Sequence, residues 1–323
     1  MKYTIVDNNH IAHRMIVNKP LHSVVNRNGR IEEIETTIPY YTLKAIGRYA
    51  RDVDGYPVKT AICFEGKGNF RKQYFTEASG NVGTYKEQRK PFYPLIKGIE
   101  LTNEMLRQTN TSVYSADGYE SDDCIYTLIQ AIKKQDPEPQ IRVMTNDADL
   151  LPLVDDVTSV YMRGTRQYAT PGHSEFRLYY EVTPETWYEY LQTTSAFKKY
   201  DLPYNTIILF KLIRGDASDN ISGAVKGYGP QKFNTLIEQM REDKVEFEKI
   251  FRYENDFEVM EEVLKNYFTE EEVAKMKYIY NGMRLQLIVP KDKVNQVKLP
   301  NELDTLGIGN IARQYGINTL NTL

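Results

Sequence analysis

At 323 residues the chain is long enough for two lobes or one large domain. A hydrophobic share of 41% and a charged share of 26% exclude an extensively disordered protein, while a net charge of −3 excludes nucleic-acid binding driven by overall charge, so any basic surface has to be local. Two cysteines in apolar runs, Cys63 and Cys124, exclude a disulfide framework, four scattered histidines exclude a zinc site, and no apolar stretch approaches a membrane span.

In chain order, Tyr3–Val6 reads as a buried first strand that stops at Asp7. Val24 to Ile38 carries an Asn28-Gly29 turn between apolar-containing arms, a hairpin signal, and Tyr40 to Tyr49 has helical spacing. Thr60–Phe64 is a second buried strand, ending on Glu65. Between Gly66 and Tyr114 basic residues (Arg71, Lys72, Lys86, Arg89, Lys90) alternate with aromatics such as Phe70, Tyr85 and Phe92, around a Gly80–Gly83 turn. This is the local basic, aromatic surface that the net charge conceals. A helix follows from Ser121, and a third strand, Ile141–Thr145, ends on Asn146-Asp147-Ala148-Asp149. Val157–Met162 and Phe176–Val182 read as further strands around a loop at Gly164–Ser174. Alternating strands and helices predict an α/β fold with a mostly parallel sheet flanked by helices. From Thr183, expected as a helix cap before Pro184, the pattern is helical, with Ile207–Ile213 apolar, a helix start at Pro230 and an extended piece at Leu285–Pro290.

The chemistry concentrates in Gly118-Tyr119-Glu120-Ser121-Asp122-Asp123, where three carboxylates in four positions open a helix. A helix start accommodates one or two acids as caps; a third raises repulsion that a divalent cation would relieve, and clustered carboxylates are the hard oxygen ligands Mg²⁺ and Mn²⁺ prefer. Asp7, Glu65, Glu120, Asp122, Asp123, Asp147, Asp149, Asp216 and Asp219 all stand at strand ends or helix starts. In a parallel sheet these ends converge on one rim, a layout suited to two metal ions and phosphodiester hydrolysis. Gly227-Tyr228-Gly229 before the helix at Pro230 frees backbone N–H groups to approach a phosphate, with Lys232 following.

Ile5-Val6-Asp7, Phe64-Glu65 with Phe70-Arg71 and Tyr85–Arg89, Gly118–Asp123, Thr145–Asp149, and Gly215–Ile221 leading into Gly227–Lys232 together resemble the 5′-nuclease superfamily of flap endonucleases and phage or bacterial 5′→3′ exonucleases. The resemblance implies a first metal site of Asp7, Glu65, Glu120, Asp122 and Asp123, and a second of Asp147, Asp149, Asp216 and Asp219. It implies that Lys86 and Arg89, at the base of a helical arch over about 80–114, contact the scissile phosphate, that Arg71 faces phosphate as well, and that Lys72, Tyr85 and Lys90 bind nucleic acid. A helix-hairpin-helix-type element over about 215–240, with Gly227, Gly229 and Lys232, would grip duplex backbone and hold K⁺. Residues 1–182 would then form the nuclease core and 183–323 a helical region. Glu65 departs from the family's usual Asp by one methylene. The implied activity is two-metal (Mg²⁺, with Mn²⁺ as substitute) hydrolysis of DNA at 5′ ends, nicks, overhangs and flaps, with RNA–DNA hybrids as further substrates. A monomer in the cytoplasm of a bacterium or phage-infected cell, working with a single-strand binding protein or clamp, is expected. An inactive flap-binding protein of the same fold and a PIN-type ribonuclease stay open as alternatives.

Overall fold

The computed structural model describes residues 1–14, 21–27, 30–52, 54–77, 85–87, 92–163, 179–288 and 299–318. In chain order these form β1 (Lys2–Asp7), α1 (Asn8–Arg14), β2 (His22–Arg27), β3 (Arg30–Glu35), α2 (Thr37–Tyr49), β4 (Lys59–Cys63), α3 (Phe70–Glu77), α4 (Tyr93–Leu106) and β5 (Ser112–Tyr114). Next come α5 (Ser121–Gln135), β6 (Gln140–Met144), a 3₁₀ turn (Ala148–Leu153), β7 (Thr158–Arg163), β8 (Tyr179–Val182), α6 (Trp187–Thr193), α7 (Ile207–Arg214), and the two-residue strands β9 (Gly215–Asp216) and β10 (Ile221–Ser222). The last helices are α8 (Pro230–Glu242), α9 (Phe247–Ile250), α10 (Phe257–Leu264), α11 (Glu270–Met283) and α12 (Thr305–Gln314).

The main sheet runs β5-β4-β1-β6-β7-β8 and is parallel except at β8. β1 lies inside it, and Tyr3 through Asp7 are all buried, which is why that strand reads as a continuous apolar run rather than an alternation. Register sets the site: Asp7 pairs with Cys63 at the carboxyl end of β4, and Val6 with Met144 at that of β6. The residues that follow each strand therefore emerge on one rim. α5 covers one face, burying Ile125, Leu128, Ile129 and Ile132. At about 1.5–3 kcal/mol per buried aliphatic side chain, that stripe holds the acid-bearing end of α5 against the sheet. The same core continues through Trp187, Phe233, Tyr253 and Tyr280, so the C-terminal helices share it. Both cysteines are free and buried.

Two expectations need correction. α6 starts at Trp187 after Thr186, not at Thr183: the Thr183 hydroxyl accepts from the Thr186 N–H (3.3 Å) and closes a turn before the helix. An arch reaching Tyr114 is too long. β5 is an edge strand of the main sheet, and α4 buries Leu95, Gly98, Thr102, Met105 and Leu106. Leu285–Ile288 follows α11 without regular secondary structure and is held by side chains of α5, as described below. β2 and β3 pair antiparallel as the hairpin signal implied, although the Asn28-Gly29 turn lies outside the described residues, as do Gly80–Gly83, Arg89, Lys90 and Gly164–Ser174.

Candidate metal and nucleic-acid site

At the carboxyl ends of β1, β4 and β6 a cleft of about 820 Å³ is lined by Asp7, Glu65, Glu120, Asp122, Asp147, Asp149 and Asp216, with Lys86, Lys211 and Arg214 among them. Asp7 is fastened on both oxygens: Oδ1 accepts from the Asn9 N–H (3.0 Å) and Ser121 Oγ (3.3 Å), Oδ2 from Thr145 Oγ1 (3.0 Å). Burial, with Asp147 nearby, nevertheless pushes its carboxyl up to about 6. Burial also raises Asp122, reinforced by Asp147, Asp7 and Glu120. Asp147 opens to the cleft but is walled by protein, which raises it against the pull of Lys211 and Lys86. These three acids are thus held in one another's field without enough positive charge. Glu65 is exposed, and its extra methylene is matched by a bond from Asn9 Nδ2 to Oε2 (3.1 Å) that holds the longer carboxylate over the cleft.

The neighbouring acids are balanced differently. One oxygen from each of Asp149, Asp216 and Asp219 lies within 4.8 Å of the others. Lys211 Nζ pairs with Asp149 and lies 2.6 Å from Asp216 Oδ2. Burial alone would raise Asp216, but Lys211 and the Ser218 N–H and hydroxyl outweigh it and bring it down to about 2. Lys211 was missed at the sequence level. A lysine inside the apolar run Ile207–Ile213 was the available signal, since a buried ammonium requires a partner.

Glu120 caps α5 and gathers donors: Lys86 Nζ, Tyr85 Oη (3.1 Å to each oxygen) and Asn69 Nδ2 (2.6 Å). Burial pushes it up, yet Lys86 and Arg71 prevail and its carboxyl is lowered. Lys86, in left-handed backbone (φ 54), also lies 3.7 Å from Asp219 Oδ2 and donates its N–H to the Asp219 carbonyl. Tyr85 is buried and stacked on Phe75, so it presents no open ring to a nucleobase.

Asp123 does not join the cleft. It is 0% exposed, and Arg71, itself 2% exposed, grips it with Nη1 at 2.6 Å and Nη2 at 2.7 Å. Its remaining capacity goes to the Glu120 N–H (3.1 Å) and the Gln286 N–H (2.8 Å). Helix geometry explains the split: Asp123 is the third residue of α5, where it completes a capping box with Glu120. The nine-acid constellation therefore loses Asp123, and Arg71 is a buried counter-ion rather than a phosphate contact. Lys72 and Lys232 are exposed on α3 and α8.

Asp216 ends β9 of the β9–β10 pair, in which Gly215 is required twice: φ is +79, and a Cβ would collide with the Ile221 carbonyl and the Gly223 backbone. Beyond it Gly227 (φ +70) turns the chain with open space where a Cβ would stand, and Gly229 precedes α8.

The family model for the 5′-3′ exonuclease N-terminal, resolvase-like domain matches residues 2–188, more than half of the chain. The chain belongs to that family. A 5′-3′ exonuclease of Mycoplasma pneumoniae is 30% identical over 180 residues, 55% of this chain and 53% of that protein. DNA polymerase I of Bacillus subtilis is 30% identical over 246 residues, 76% of this chain and 24% of that one. The chain spans about half the length of the stand-alone exonuclease and a quarter of the polymerase. In fold it is similar to the T5 5′-exonuclease with bound divalent zinc ions (TM-score 0.52, 15% identity, covering 99% of this chain and 96% of that one). Among the described residues no helix is long and apolar enough to cross a membrane.

Proposed function

We propose that the protein is a metal-dependent 5′ nuclease that hydrolyses DNA at 5′ ends and 5′ flaps, with RNA–DNA hybrids as further substrates, in replication or repair. The observation that carries this reading is the convergence of Asp7, Asp122, Asp147, Asp149 and Asp216 in one cleft beside Lys86, with Asp219 within 4.8 Å of Asp149 and Asp216. The donor set fits divalent cations: the ligands are all carboxylate oxygens, crowded enough that burial and mutual repulsion drive Asp7 and Asp122 toward the neutral form. Asp7, Glu65, Glu120 and Asp122 would hold one ion and Asp147, Asp149, Asp216 and Asp219 the other; Mg²⁺ is the physiological choice and Mn²⁺ a substitute. When bound, the ions supply charge neutralisation at the phosphate and acidify water for attack. The chain's own residues do the rest. Lys86, positioned by Glu120 and Asp219, faces the negative charge that develops on the phosphate. The Gly227–Gly229 turn and Lys232 hold duplex backbone, with K⁺ on backbone carbonyls there, and residues beyond about 183 act as the duplex-binding part. Recognition would rest on phosphates and junction shape.

The test is cleavage of an end-labelled 5′-flap duplex with Mg²⁺, with chelator, and by the variant carrying Asp122→Asn and Asp147→Asn. Release of a short 5′ product that disappears with chelator, and falls about 1,000-fold or more in the variant, is expected. Tight flap binding without cleavage in either Mg²⁺ or Mn²⁺ would instead make it an inactive structure-specific binder, with Glu65→Asp as the first reversion.

A further inference from the structure

Of the lysines and arginines lining the cleft, Lys86 and Lys211 are paired with carboxylates. Arg214 is not: among the described residues it makes no ion pair, although the chain as a whole is acidic. It ends α7, three residues after Lys211, and its side chain is exposed. Its Nη1 donates to the Tyr228 carbonyl at 2.7 Å, within the Gly227–Gly229 turn, and its guanidinium carbon lies 5.7 Å from the centroid of the Tyr200 ring. Arg214 therefore lines the acid cleft and touches the glycine turn at the same time. The carbonyl bond and the ring fix the guanidinium plane from two directions and occupy one of its five N–H donors. Ala196, Phe197 and Phe210 line the cleft beside it and offer no competing charge.

We propose that Arg214 is a phosphate-binding residue for the DNA backbone running from the cleft to the Gly227–Gly229 turn. A guanidinium held in one plane is suited to forked, two-bond recognition of phosphate, and here it stands where a strand passing from the metal carboxylates to the duplex grip has to cross. Arg214 so couples two contacts that would otherwise be independent, setting how far from the grip a phosphodiester sits in the cleft. The inference rests on the nuclease reading above.

The experiment compares wild type, Arg214→Met and Arg214→Lys for equilibrium binding of the 5′-flap duplex in chelator, across about 50–200 mM salt. Melting temperatures of all three and cleavage with Mg²⁺ complete the set. Arg214→Met should bind about tenfold more weakly, with the slope of log K against log salt shallower by about 1, the signature of one lost phosphate contact. Arg214→Lys should restore the slope but not the full affinity, since a point charge lacks the fork. In cleavage, KM should rise, kcat should fall, and the cut should spread over neighbouring phosphodiesters. A Met variant with the wild-type salt slope would overturn the proposal, whatever its affinity, because Arg214 would then only brace the Tyr228 carbonyl. Should Arg214→Met fail to fold, a Lys variant with unchanged affinity would overturn it equally. Wild type that neither cuts nor binds the flap would sink the nuclease reading itself, whereas active wild type with indifferent variants sinks only the role of Arg214.

Discussion

Asp7, Asp122 and Asp147 relieve their mutual repulsion by shifting toward the neutral form, whereas Asp216, on the other side of the same cleft, keeps its charge because Lys211 is bonded to it and to Asp149. The first side needs a cation from outside; the second carries one. Asp123 is a third solution, one residue from Asp122, with a guanidinium closed over it and no access to the cleft. Acids that look equivalent along the chain thus divide by what neutralises them. Those left short of positive charge have the most to gain from an ion, whereas on the Asp216 side an ion would have to take the place of Lys211.

The comparison breaks most severely at the buried pair. Arg71→Ala leaves Asp123 with no counter-ion and should cost about 3–5 kcal/mol of stability, read from denaturant unfolding. Arg71→Ala combined with Asp123→Asn should recover part of that loss. A cost near zero for the single variant would mean that Asp123 reaches solvent or metal after all. Lys211→Met removes the built-in cation, and without metal it should destabilise the protein by about 2 kcal/mol through two lost charge-assisted bonds. Mg²⁺ should return most of that stability by taking over the same carboxylates; a deficit unchanged by Mg²⁺ would place Lys211 in packing alone.

The smallest effect is on pH. Asp7 titrates at about 6 when folded, above its unfolded value, so the neutral form stabilises the fold. This contribution is fully present below about pH 4 and is lost as pH rises through about 6. Asp216, at about 2, works in the opposite direction and loses its contribution only in strong acid, outside that window. A divalent ion requires the ionised form. The rise in melting temperature on adding Mg²⁺, a few degrees at about pH 8, should therefore be smaller near pH 5. An equal rise at both values would assign the metal response to acids other than Asp7.

The strands and the rim were legible because continuous apolar runs ending in acids have few alternative placements in a parallel sheet. Tyr3–Asp7, Thr60–Glu65 and Ile141–Asp147 emerge side by side as their patterns implied. Direction around a helix was not legible. Asp122 and Asp123 differ by about 100° on α5, and neighbouring chain decides which of them meets solvent, although the Glu120–Asp123 spacing is itself a capping-box pattern. Arg71 looked like a surface cation because its partner lies 52 residues away in sequence. Lys211 was hidden for the opposite reason: it sits in an apolar helix that reads well without it. Glu65 looked like a defect, and the compensating Asn9 could be recognised only once the two strand ends were adjacent.

The segment after α11 has a consequence for biosynthesis. The Gln286 N–H reaches Asp123 across 163 residues, the Ile288 N–H reaches Thr127 across 161, and Arg71 touches the Arg284 carbonyl across 213. The helix start that carries Asp122 is thereby locked by a piece of chain translated long after it. A nascent polypeptide emerging from the ribosome would have every cleft carboxylate exposed to solvent before it had the clasp that orders them. The clasp on this helix start is available only after residue 288 has been made, so the ordering of the carboxylate cleft has to wait for translation of the helices that follow β10.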